Sequence, residues 1–121
     1  MENTYSDKVT SDHERWELQK KMEEVDEIQQ GCKRLIRELD DFAESIYWQN
    51  RHSKMLNDAL ANTYQGDKKL QSLLFEKEDI MKQRVASDRD FFDEARVVLS
   101  KKIIDTECEK ENFVGKFNKV E

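Results

Sequence analysis

From Leu18 onward the apolar side chains recur as Leu18, Met22, Val25, Ile28, Cys32, Leu35, Leu39, Phe42 and Ile46, in steps of 4, 3, 3, 4, 3, 4, 3 and 4. Alternating threes and fours predict a helix that packs lengthwise on another, and the doubled three at Val25 predicts a stammer that overwinds the seam. Gly31 follows this irregularity. A glycine inside a helix costs about 1 kcal/mol against alanine, so a kink or short break is expected at Gln30 and Gly31. Past Ile46 a polar interruption containing no helix breaker gives way to Met55, Leu56, Ala59 and Leu60, which resume the stripe. Ser11 with Glu14 three places on forms a capping box. The first helix is therefore predicted over residues 12–64, roughly 80 Å long at 1.5 Å per residue. Residues 1–11 are polar and unpatterned and are read as a mobile arm.

The reversal belongs at Tyr64-Gln65-Gly66-Asp67. Gly66 can take the left-handed conformation that closes a helix, and Asp67 is a suitable N-cap for the next one. The second helix, predicted over residues 67–114, carries apolar doublets and triplets at Leu73-Leu74-Phe75, Ile80-Met81, Phe91-Phe92, Val97-Val98-Leu99 and Ile103-Ile104. A helix serving one seam needs single apolar residues at two positions per heptad, so doublets predict a second face for a further helix. The 11-residue interval from Ile80 to Phe91 predicts a local relaxation of the supercoil. Gly115 is expected to end the helix, leaving residues 115–121 as a short tail.

Composition supports an all-α fold, a long antiparallel two-helix hairpin of coiled-coil type. The 121 residues contain no proline and only three glycines, too few turn formers for a sheet. Charged residues at 40% against 36% hydrophobic leave little for a globular core. The net charge of -6 disfavours nucleic acid, whose phosphates call for surplus Lys and Arg. Charge is uneven, with 13 acids against 7 bases in residues 1–44 and 14 of each thereafter. Met1 to Asp7 has neither a basic start nor an apolar run, and no stretch is long enough to insert in a membrane. A cytoplasmic protein without a cleavable signal is expected, with export by another route left open.

No catalytic constellation appears. His13 and His52 lack the spacing of paired metal ligands, adjacent acids such as Asp40-Asp41 point in different directions, and no phosphate-cradling glycine loop is present. No enzyme activity, metal or cofactor is expected. If position i faces about 131 minus i across the hairpin, Cys32 and Cys108 are offset by about nine residues, roughly 13 Å, too far for a disulfide. Two free thiols are expected. What remains is an excess of large apolar side chains. The residues expected to touch a partner are Trp48, Tyr64, Gly66, Leu74, Phe75, Met81, Phe91, Phe92, Leu99 and Ile104.

A helical hairpin with an aromatic-x-Gly turn resembles the WXG family of type VII secretion proteins; here the tripeptide is Tyr64-Gln65-Gly66, with tyrosine in place of tryptophan. More specifically, Trp48-Gln49-Asn50-Arg51-His52, the Gly66-Asp67-Lys68 turn and Glu76-Lys77-Glu78 resemble the small helical partners encoded beside LXG-domain toxins. The resemblance implies a chaperone or targeting factor that binds the helical N-terminal region of an LXG-type toxin for the type VIIb apparatus, with room for a second small helical partner. It also implies a Tyr-x-x-x-Asp/Glu export signal, which no tyrosine here satisfies; Phe117 and Glu121 are the nearest C-terminal substitute. The alternative is a structural coiled-coil protein that self-associates as a four-helix homodimer without a client.

Overall fold

With no proline and three glycines, the chain has little to interrupt a helix once one has started. A computed structural model describes residues 2–120, with side chains from residue 8. Among these residues two helices run antiparallel and pack on each other, α1 (Glu2–Thr63) and α2 (Lys68–Lys119), with no strand. The protein is an all-α helical hairpin. It divides into two units, Met1–Ile36 with Val98–Glu121, called unit 1, and Arg37–Val97, called unit 2.

Both helices run past their predicted outer ends. α1 begins at Glu2, so most of the stretch read as an arm is helical, and Ser11 with Glu14 lies inside the helix. A capping box is a preference for starting, and nothing between Glu2 and Ser11 enforces a stop. Gly31 also sits within unbroken α1, so the expected break is absent. At the other end α2 continues through Gly115 to Lys119. The Arg15 guanidinium lies 6.0 Å from the Phe117 ring centroid and donates to the Val120 carbonyl, with Nε at 3.1 Å. This hold on the last turn outweighs the glycine's weak preference to end it.

The turn itself uses side chains where a left-handed glycine was expected. No glycine has a positive φ, Gly66 included. Asp67 N donates to the Tyr64 carbonyl at 3.1 Å, and the Gln71 amide reaches back to the carbonyls of Ala61 (3.0 Å) and Tyr64 (2.8 Å). The open carbonyls of α1 are thus answered without a Schellman closure. Asp67 acts as the predicted N-cap, its Oδ1 accepting from Leu70 N at 3.0 Å.

Seam positions follow a stricter period than the apolar residues do. In α1 the buried and half-buried positions include Leu18, Met22, Val25, Gln29, Cys32 and Ile36 in unit 1, then Leu39, Ala43, Ile46, Asn50, Ser53, Asn57 and Leu60 in unit 2. Fours and threes alternate throughout, so the stammer is absent. Ile28, Leu35 and Phe42, placed on the seam by the sequence reading, are exposed one position before Gln29, Ile36 and Ala43. A steady heptad avoids the overwinding that a doubled three imposes, and the inward Gln29 recovers a hydrogen bond to Glu107 at 2.6 Å. The irregular step lies in α2, at Ala95, Leu99 and Ile103, rather than between Ile80 and Phe91. Side-chain partners in the pairs Asp26–Lys110, Gln29–Glu107 and Asp40–Arg96 have numbers that add to 136, so the register is about five residues from the predicted one. Both cysteines are free, Cys32 buried and Cys108 exposed.

Candidate partner-binding surface

Each apolar doublet in α2 divides between seam and solvent, because neighbouring residues on a helix point about 100° apart. Leu74, Met81, Leu99 and Ile103 turn half-buried into the seam and Phe92 is buried, while Leu73, Phe75, Ile80, Phe91, Val97, Val98 and Ile104 are exposed. The ten expected partner residues therefore fall into two groups. Trp48, Tyr64, Gly66, Phe75, Phe91 and Ile104 are displayed, with Phe75 74% and Ile104 62% exposed. Leu74, Met81, Phe92 and Leu99 hold the hairpin together instead, as the inward members of their doublets. Phe117 is half-buried beneath Arg15, and Glu121 lies outside the described residues.

Unit 2 contains a groove of about 690 Å³ that the sequence reading did not anticipate. Its floor includes Ala43, Ile46, Met81, Val85, Ala86 and Phe92. It opens where the seam carries short or polar groups, Ala43 and Asn50 on α1, which cannot fill the space that leucine or isoleucine would. Four exposed cations line it: Arg51, Lys54, Lys82 and Arg89. None makes an ion pair among the described residues, whereas Arg96, also lining the groove, is paired with Asp40 and Asp93. Glu78 and Asp88 lie half-buried on the seam side. Beside the groove the Arg51 guanidinium stands 5.8 Å from the Trp48 ring centroid, and Trp48 meets Tyr47 edge to face at 5.5 Å. The signal for this groove is Ala43 and Asn50 one heptad apart at seam positions, readable only once the register is known.

The groove offers apolar rings and aliphatic chains, a cationic rim and the Asn50 amide. Among the described residues no cluster of three or more His, Cys, Asp or Glu side chains is arranged to hold a metal. No described helix is long and apolar enough to cross a membrane. No protein family, curated protein or solved structure matches the chain.

Proposed function

We propose that the protein is a non-enzymatic binding partner for helices of a client, and that the client is the helical N-terminal region of an LXG-type toxin bound for type VII secretion. The carrying observation is the set of large apolar side chains left exposed after the hairpin has formed, Phe75, Phe91, Ile80 and Ile104 among them. Covering six or seven such groups at about 1.5–3 kcal/mol each is enough to drive association after orientational costs. The client class comes from the resemblance of the turn tripeptide and the Trp48–His52 segment. Binding is placed in the cytoplasm, before the client is exported.

Co-expression with such a toxin's helical N-terminal region tests this reading. A stable complex is expected on affinity purification and gel filtration, weakened at least about tenfold by the pair Phe75→Ser and Ile104→Ser, since each exposed group lost removes about 1.5 kcal/mol or more. A monomer that ignores those helices would overturn the proposal. A tight homodimer that persists in their presence would replace it with a structural role.

A further inference from the structure

We propose that the groove of unit 2 receives one amphipathic helix whose apolar stripe is flanked by Asp and Glu. This deepens the client reading by stating the chemistry of the docked segment. The floor of Ile46, Met81, Val85 and Phe92 offers apolar contact, and only Phe92 among them is buried. The rim supplies the selectivity. In a chain of net charge -6, Arg51, Lys54, Lys82 and Arg89 gather on this groove without ion-pair partners among the described residues. The half-buried Glu78 and Asp88 offset part of that charge from the seam side, and the exposed Asp93 on the same lining is paired with Arg96, leaving the four exposed cations to face an incoming helix. An acid-flanked helix places carboxylates against those cations, whereas a Lys-flanked helix of the same stripe meets like charge. Arg51, resting against Trp48, is held ready on one side of the groove.

The test uses the full chain carrying Trp16→Phe, so that Trp48 is the only tryptophan, and two synthetic helices with one leucine stripe, flanked by Glu in one and by Lys in the other. The Glu-flanked helix is expected to shift Trp48 emission saturably and to bind at least about tenfold tighter than the Lys-flanked one, with an affinity that falls as salt is added. In Lys54→Glu/Lys82→Glu/Arg89→Glu the preference should reverse. If that variant loses helicity by circular dichroism, the corresponding Gln variants should still weaken the Glu-flanked helix severalfold. Equal affinity for the two helices, or no saturable shift, overturns the proposal. So does a shift that develops with protein concentration alone and tracks a dimer in sedimentation, because the groove then belongs to a second copy. Co-purification separates the two readings. A toxin region retained equally by wild type and charge variant sinks the groove and leaves the client reading standing; a toxin region not retained, with the Glu-flanked helix bound, does the reverse.

Discussion

Units 1 and 2 are both paired helices with polar residues at seam positions, yet they answer those residues differently. In unit 1 the Gln29 amide donates to Glu107 at 2.6 Å, Lys110 Nζ donates to Asp26 at 2.9 Å, and the Thr106 hydroxyl donates to the Ile103 carbonyl of its own helix at 2.8 Å. In unit 2 the buried Asn57 amide finds only the Met81 sulfur at 3.8 Å, and its Oδ1 has no partner. Asn50 and Asp88, half-buried on the same seam, make no cross-helix hydrogen bond among the described residues. Unit 1 buries Val25 and Cys32, while unit 2 has Phe92 as its one buried apolar residue among those described. A polar group that is paired on the seam costs little; a buried one left unpaired, as Asn57 Oδ1 is, costs its desolvation and makes the seam around it easier to open.

The largest expected effect comes from Phe92→Ala. This ring is 8% exposed and meets Phe42 and Phe91 edge to face at 6.0 and 5.7 Å. Its loss should cost about 3 kcal/mol, at the lower end for buried phenylalanine because the surrounding core is thin. Hydrogen exchange should show amides of residues 43–57 and 81–95 losing protection before those of residues 18–32 and 103–117. An equal loss everywhere would mean that the units open as one and that the contrast between their seams has no energetic consequence.

The architecture was readable because helix content and reversal rest on local chemistry: absent prolines, a 3–4 apolar rhythm, and Asp67 as a cap. The α2 doublets were legible as more apolar surface than one seam needs, but not which member turns inward, and Leu74, Met81, Phe92 and Leu99, expected on the partner face, lie on the seam. What could not be read was which of two adjacent rows faces the partner. Ile28, Leu35 and Phe42 are greasier than Gln29, Ile36 and Ala43 taken together, so any apolar count selects the wrong row. The choice is made by cross-helix pairs such as Gln29–Glu107 and Asp40–Arg96, between residues 78 and 56 apart in sequence. The groove stayed hidden for the same reason, since it exists only where short seam residues meet in the correct register. Helix ends failed differently: Ser11 and Gly115 are genuine signals, outweighed by uninterrupted helix on one side and by Arg15 on the other.

Asn57→Leu probes the unpaired seam directly. Removing a buried carbonyl oxygen without a partner and supplying a side chain of similar size should stabilise the protein by about 1–2 kcal/mol in urea unfolding. In unit 1 the matching measurement is a double-mutant cycle on Gln29→Ala and Glu107→Ala, with an expected coupling of about 1 kcal/mol. A destabilised Asn57→Leu together with an uncoupled Gln29 pair would reverse the assignment of paired and unpaired seams.

Smaller effects are expected at the turn of unit 2. Asp67→Ala removes the cap on Leu70 N and should cost about 1 kcal/mol. Gly66→Ala should instead be neutral or stabilising by up to about 0.5 kcal/mol, because φ is not positive and an added Cβ meets nothing within 4 Å. Thermal unfolding of the two variants checks both signs; a strongly destabilised Gly66→Ala would restore the special backbone role that the tripeptide suggested.

The smallest effect belongs to unit 1 and depends on pH. The hydrogen bond from Lys110 to Asp26, reinforced by the attraction of that carboxylate and less so of Glu107, holds the ammonium above the ordinary lysine value, against a smaller opposing contribution from burial. A lysine pKa raised by folding means that the folded state retains this proton more tightly than the unfolded chain. The stabilisation is therefore complete below the ordinary lysine value of about 10.4 and is lost as pH rises through the folded value above it. Both groups are partly exposed, so salt should weaken the contribution. Titration of Lys110 by side-chain NMR should give a midpoint above that of a free lysine, and Asp26→Asn should bring it down. An unchanged midpoint in Asp26→Asn would show that the contact contributes nothing to binding that proton, and the paired seam of unit 1 would then rest on Gln29 and Glu107.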